Sequence, residues 1–388
     1  MGCEKETGCF MASRLVVVKA GTSSITTPDG KLDEEEMGKL ADQIAEVMER
    51  KDRMILVTSG AIAAGVAELG IPRRPSHDID FQQASAATGQ SVLMAKYREL
   101  FKPHGIKVAQ ILLTAEDLSN RTSYLHTSNV LKRLLELGVL PIINENDVTS
   151  VDELLPTSER YRVNFSDNDI LSALVATAIR ADILVILSDV DGLYTSDPRE
   201  PEAVLMKTVE NITPELKDSL TGKKSKTGRG GIQSKIRAAE IATKSGIPVV
   251  IANSRRENVI PDILSGIEVG TYFKPEGKMS AVKSWIAYSA SVKGQIFINE
   301  GARKAILDGS SLLAVGITKV TGQFNAGDVV DIVDQNNDEF AKGNPNYTSN
   351  EINMIRGLQA SEIKKKLGNA KEVIGRKKIH LLKETLGK

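Results

Sequence analysis

The residues of this chain best equipped for chemistry follow short apolar runs. Lys19-Ala20-Gly21-Thr22-Ser23-Ser24 comes directly after the run at 15–18. A glycine and small hydroxyl residues let a backbone approach a phosphate, and Lys19 supplies a point charge. Ser59, Gly60 and the small residues up to Gly65 follow the run at 54–58 and enter a helical pattern. The first N–H groups of such a helix suit an anion. Tight strand-to-helix turns also use glycine for packing, so neither turn specifies a ligand by itself. Asn144-Glu145-Asn146-Asp147 follows the run at 140–143, and Ser166-Asp167-Asn168-Asp169 opens a further helical stretch. Polar clusters of this density are costly inside a fold unless they hold a polar ligand or cap an element. An Asx turn, with Ser166 or Asp167 as an N-cap, is the plainer alternative. Ser188, Asp189 and Asp191 follow the run at 183–187. Residues 222–235 then carry Lys223, Lys224, Lys226 and Arg229 with glycines at 228, 230 and 231, before a helical stretch bearing Lys235. A basic glycine-rich loop suits nucleotide phosphates and equally reads as a solvated loop. The chain has no Walker A pattern and no protein-kinase HRD or DFG set, so it belongs to neither of those groups.

For these turns to converge, the strands before them must end on one side of a sheet. The runs at 15–18, 54–58, 108–113, 140–143, 183–187 and 249–251 are short and apolar, as strands buried on both faces are. Helical patterns separate them. Residues 33–51 place Met37, Leu40, Ile44, Val47 and Met48 on one face, and 124–137 and 168–180 are similar. The alternation predicts an α/β fold, a mainly parallel open sheet covered by helices on both sides. Ligands of such sheets bind beyond the carboxyl ends of the strands, where the polar clusters lie. The texture changes after Gly270. Residues 271–294 read as a polar connection with Pro275, Gly277 and the sole tryptophan, Trp285. Short β-like runs at 295–299, 328–333 and 339–341 follow, punctuated by glycines. They predict a small, mostly β second domain. The chain thus divides into a disordered extension at 1–12, a catalytic domain at 13–275, a linker at 276–290, the β domain at 291–370 and a charged tail at 371–388.

Bulk properties narrow the classes. Fifty Lys and Arg balance fifty Asp and Glu, which argues against the overall basic surface of a nucleic-acid binder. Lys364, Lys365, Lys366 and the basic residues at 371–378 read as a solvated helix face and a charged tail. The two cysteines, Cys3 and Cys9, cannot build a disulfide framework across the fold, which fits a reducing cytoplasm. No run approaches the ~20 apolar residues of a membrane helix. The first residues lack the pattern of a signal peptide or a myristoylation site.

VVVKAGTSS at 16–24, the small-residue turn at 58–65 and SDVDGLYTSDPR at 188–199 resemble the amino acid kinase family. VTSGAIAAG at 57–65, INEND at 143–147, FSDND at 165–169 and GRGGIQSK at 228–235 resemble its glutamate 5-kinases in particular. Residues 284–333 resemble the PUA domain that many of them carry. Arg229 and Ile232 depart from the GTGGM pattern of those enzymes, Ser166 replaces a glycine, Ala20 replaces a leucine, and the segment 151–164 is longer.

The resemblance implies transfer of the γ-phosphoryl group of ATP to the side-chain carboxylate of L-glutamate, the first step of proline biosynthesis. It makes Lys19 and Lys235 the catalytic cations, oriented by Asp169. Ser59, Asp147 and Asn168 would contact glutamate, with Asn144 supporting that site. Asp147 is a sensible partner for the α-ammonium. Lys19, Gly21, Ser188, Asp189, Arg229, Gly230, Gly231, Ile232, Gln233, Ser234 and Lys235 would contact ATP. The acceptor carboxylate, with a reference pKa of about 4.3, is ionised at neutral pH and needs no general base. Its approach to a polyanion must be eased by positioning and cationic charge. Mg²⁺ is expected on the ATP phosphates and not in a protein cage. The resemblance also implies a separate γ-glutamyl phosphate reductase, a homo-oligomer and feedback inhibition by proline. Two other readings compete. One is a relative acting on N-acetylglutamate or a phosphate monoester, which the INEND and FSDND clusters oppose because acetylation removes the ammonium. The other is RNA binding through the PUA-like domain.

Overall fold

The computed structural model describes residues 13–70, 78–150, 168–196, 200–221, 229–277 and 279–382. The extension at 1–12, the segment at 151–164, Ser166, Asp167 and the loop lysines 223, 224 and 226 lie outside the described residues.

All six apolar runs form strands of one sheet. β1 (Leu15–Ala20), β2 (Arg53–Thr58), β3 (Lys107–Leu113), β4 (Val139–Glu145), β5 (Ile183–Ser188), β6 (Thr208–Val209), β7 (Val249–Asn253) and β8 (Thr271–Phe273) lie in the order β3-β4-β2-β1-β5-β7-β8-β6. The first six strands of that order are parallel. β8 runs antiparallel to β7, with β6 parallel to β8. The unbroken apolarity of β1 has a direct cause. Leu15 and Val17 enter the core on one face, while Val16 and Val18 enter the core on the other.

Helices cover both faces, as the alternation predicts. In chain order they are α1 (Thr22–Ile25), α2 (Glu34–Glu49), α3 (Ala61–Glu68), α4 (Ile79–Phe101), α5 (Ala115–Ser119), α6 (Arg121–Glu136), α7 (Asn168–Ile179), α8 (Pro214–Thr221), α9 (Arg229–Lys244) and α10 (Val259–Leu264). One face packs on α2, α4 and α10 through Met37, Ile44, Leu93, Tyr97 and Ile260. The other packs on α6, α7 and α9 through Leu131, Leu174, Ile236 and Ala239. α2 begins where its sequence signals it. The Asp33 side chain accepts from the Glu36 amide, and Glu34, Glu35 and Glu36 fill the first turn. No described helix is long and apolar enough to cross a membrane.

α11 (Ala281–Tyr288) leads from the first unit into a second, which comprises β9 (Val292–Ile298), α12 (Glu300–Leu307), β10 (Ile317–Gly322), β11 (Val329–Val333), β12 (Glu339–Gly343), α13 (Ser349–Ile355), α14 (Ala360–Leu367) and β13 (Ile379–Leu381). Its sheet runs β10-β9-β11-β12-β13 over a separate core that includes Ile296, Ile332, Phe340 and Ile352.

Two stretches differ from the sequence expectation. Residues 271–294 are not a plain polar connection. β8 closes the first sheet, and α11 buries Trp285 and Ile286 in the core of the first unit. The Trp285 indole N–H donates to the Leu118 carbonyl (3.0 Å). One short helix spans too few residues for its apolar spacing to stand out from the charges around it. Residues 371–382 are likewise not a free tail. Val373 and Ile374 are buried, and β13 pairs with β12. The surrounding lysines hide a three-residue strand from composition. Lys364, Lys365 and Lys366 are exposed at the end of α14, as a solvated face requires.

Candidate active site

The carboxyl ends of β1, β2, β4 and β5 open on one cleft of about 370 Å³. Parallel register brings them together, since Lys19 on β1 sits beside Val57 of β2 and Ile186 of β5. At the centre is Asp169, in the first turn of α7 and only 1% exposed. The Lys19 ammonium lies 2.6 Å from one carboxylate oxygen, and the Lys235 ammonium 3.1 Å from the other. The Ser234 hydroxyl donates to the second oxygen (3.1 Å). Burial by itself would raise the Asp169 carboxyl. The charges of Lys19 and then Lys235 more than offset it and hold the group below the usual carboxylate range. Two cations on one carboxylate leave a net positive charge, and both lysines line the cleft.

A polar relay forms the neighbouring wall. The Asn168 amide donates to the Ser59 hydroxyl (2.9 Å) and to the Asn144 side-chain carbonyl (3.3 Å). The Asn144 amide in turn donates to the Gln90 side-chain carbonyl (2.9 Å). Asp147 lines the same cleft. Its turn is tied to β3 where the Asn146 N–H donates to the Leu113 carbonyl (2.9 Å). The opposite rim is the start of α3. Gly60 adopts φ +95°, which glycine tolerates, and no side chain caps the helix. Ala61, Ile62 and Ala63, whose amides form that uncapped first turn, line the cleft.

Of the residues singled out in the sequence, Lys19, Gly21, Ser59, Asn144, Asp147, Asn168, Asp169, Ser188 and Lys235 meet in this cleft. Asp189 sits beside it, accepting from the Ser188 hydroxyl (3.2 Å). Gly230, Gly231, Ile232, Gln233 and Ser234 form the opening turns of α9, and among them Ser234 reaches Asp169. Gln233 is exposed and Ile232 packs against the core. The Arg229 side chain lies outside the described residues. Sequence reasoning missed Gln90. Its signal is a polar residue on the stripe that Leu93, Tyr97 and Phe101 continue along the buried face of α4. It also missed Tyr97, whose hydroxyl is hydrogen-bonded to Thr58 at the end of β2 (2.7 Å).

Residues 14–253 match the amino acid kinase family, and residues 294–367 match the PUA domain. A glutamate 5-kinase from Thermoanaerobacter sp. (strain X514) is 44% identical over 91% of this chain and 93% of its own. One from Dehalococcoides mccartyi (strain CBDB1) is 43% identical over 91% and 94%. One from Myxococcus xanthus (strain DK1622) is 43% identical over 92% and 93%. A solved UMP kinase from Bacillus anthracis covers 68% of this chain and 97% of its own, at 15% identity and a TM-score of 0.46, a likeness below the level at which a shared fold follows.

Proposed function

Because the chain belongs to the amino acid kinase family, we infer that its activity is that of a glutamate 5-kinase. A side-chain carboxylate oxygen of L-glutamate attacks the γ-phosphorus of ATP. The bond from that phosphorus to the β–γ bridging oxygen breaks, and ADP leaves with the electron pair. No proton moves, so the protein's task is to bring two anions together and to stabilise charge on the transferring group. The observation that carries this reading is the buried Lys19–Asp169–Lys235 cluster, which aims two cations from different elements at one cleft.

Lys19 and Lys235 neutralise charge on the phosphoryl oxygens, and Asp169 holds both ammonium groups in place. The uncapped start of α3 adds a positive partial charge from the side of Ser59. Ser59 and Asn168 hold glutamate, Asn144 fixes Asn168, and Asp147 takes the α-ammonium. Ser188, Asp189 and the segment Arg229, Gly230, Gly231, Ile232, Gln233 and Ser234 take the nucleotide. Mg²⁺ supplies further charge neutralisation on the nucleotide phosphates, which carry it. The donor set here, two ammonium groups around an engaged carboxylate, suits phosphate oxygens better than a bare metal ion.

The product is an acyl phosphate that water destroys, so a separate reductase in the same cytoplasm consumes it. Proline, which shares an α-carboxylate and a charged nitrogen with glutamate, acts as a feedback inhibitor around Asp147. The transferring unit is residues 13–275, and the chain assembles as a homo-oligomer. ADP release measured with L-glutamate and with N-acetylglutamate, each with Mg-ATP, tests the substrate. Faster turnover of the acetylated compound would overturn it.

A further inference from the structure

A second and larger cleft, about 900 Å³, lies at the seam between the two units. The first unit contributes Lys244, from the last turn of α9, and Glu276. α11 contributes Lys283, and the second unit contributes Arg376, Lys377 and His380. The excess of cations is plain, four lysines and arginines against one glutamate. Lys244 is engaged by Glu240, but that carboxylate also pairs with Lys217 and Arg237, so the Glu240 cluster is itself net positive. Among the described residues no carboxylate lies within ion-pair distance of Lys283, Arg376 or Lys377.

Three cations that have no carboxylate partner among the described residues face one concavity and repel one another. Such an arrangement is stabilised when an anion enters. The cleft is of the size that holds small metabolites. Its floor is apolar at Leu307 and Ile379, and the start of α11 faces it at Ser280. His380 reports the local field. Burial first, then Lys283, Lys342 and Lys244, push its ring down to about 4.

We propose that this seam is a binding site for a small phosphate-bearing anion, gripped by Lys283, Arg376 and Lys377 with Lys244 from the first unit. The phosphate occupies the cationic rim, and the uncharged body rests on Leu307 and Ile379. The site is separate from the strand-end cleft and does not depend on the transfer reaction, so its failure would leave the glutamate assay untouched.

The chain has four histidines, of which His380 lines the seam. Histidine-selective NMR of the full-length protein, titrated with inorganic pyrophosphate, reads the site directly. His380→Gln assigns the signal by its loss. The expected result is a saturable shift of the His380 ring and a rise in its pKa as the anion offsets the lysines. Arg376→Gln with Lys377→Gln changes two exposed side chains and should weaken the apparent affinity about tenfold. Lys283→Gln should do the same and leave the other histidine signals in place. Absence of a saturable His380 shift with pyrophosphate, or an unchanged affinity in both variants, would overturn the proposal. So would a response to a single-stranded RNA oligonucleotide with none to pyrophosphate.

Discussion

Asp169 shows why a buried carboxylate can be useful to a reaction that needs positive charge. In isolation it would repel a phosphate. Held between Lys19 and Lys235, it anchors two flexible side chains that line the cleft, where the proposed transfer would build negative charge. A cation that interacts most strongly in the transition state lowers kcat and kcat/KM together when removed. Lys235→Met is therefore expected to reduce kcat by roughly 10²-fold or more, with a smaller change in KM for glutamate. On the proposed role of Asp147 as partner of the unreacting ammonium, a contact present before and during transfer, Asp147→Ala should mainly raise KM. Steady-state kinetics on both folded variants decide the matter. A near-normal kcat for Lys235→Met alongside an abolished one for Asp147→Ala would reverse the two roles.

Elements hold these residues by close approach. α3 and α4 cross at Gly65 and Gly89, where an added Cβ would fall 1.8 Å from the Ser85 carbonyl oxygen or 1.9 Å from that of Ala61. Backbone atoms cannot yield as a flexible side chain would. Gly65→Ala should force the helices apart, at about 1–3 kcal/mol or more, and displace the Ser59–Ala61 rim. Gly38→Ala is the contrast. It lies inside α2 with only ordinary contact to Leu100, and it should stabilise by up to about 1 kcal/mol through helix propensity. Thermal unfolding of the two variants tests the pair. A second element-scale device is Glu240 on α9, which ties Lys217 of α8 to Arg237 and Lys244 of its own helix. Burial opposes its ionisation, yet its hydrogen bonds to Lys217 and Lys244 and the charge of Arg237 lower the carboxyl from 4.5 to about 2. The folded state thus favours the ionised form. Its stabilisation is complete above about pH 4.5 and is lost as pH falls toward about 2, a contribution of roughly 3 kcal/mol. Glu240→Gln should flatten the pH dependence of urea unfolding within that window and lower stability above it. An unchanged slope would show that the cluster is not coupled to folding.

At the scale of the whole molecule, the two sheets share a joint and not a tether. Trp285 and Ile286 belong to the core of the first unit although they follow its last strand, and Val329 from the second sheet reaches the same core. A chain ended at 275 leaves the pocket for Trp285 open, whereas one ended at 290 keeps it filled. The longer fragment should unfold at a clearly higher temperature and retain phosphoryl transfer. Trp285→Ala in the full chain should cost about 3–5 kcal/mol. Circular dichroism melting of the two fragments, with ADP release from each, is the measurement. Equal melting temperatures would mean that α11 belongs to the second unit in energy as well as in sequence.

Local signals are enough to determine the layered sheet. A strand buried on both faces needs an unbroken apolar run, and a helix that covers it needs a 3.6-residue stripe, so β1, β2, β4, β5 and α2 are each legible over a few residues. The polar turns after those strands are legible for the same reason, because residues such as Lys19 and Asn144 stand out against apolar neighbours. Pairing is a different matter. That Asn168 donates to Ser59, 109 residues away, and that Lys235 meets Asp169, 66 residues away, depends on sheet order and helix packing. The amino acid kinase resemblance implied that Asp169 orients Lys235 and that Asn168 and Ser59 share a ligand, but not the hydrogen bond between those two, and composition and spacing implied neither pairing. Gln90 lies on the buried stripe of α4, yet its partner Asn144 is 54 residues away, and the Gly65–Gly89 crossing carries no local periodicity that marks it. Trp285 looked like part of a linker because its burial depends on Leu118 and on a helix face formed far earlier in the chain. The cationic seam is the extreme case. Lys244, Lys283 and Arg376 are scattered over three elements, each reads as an ordinary surface charge, and their common field exists only once the two sheets are packed together.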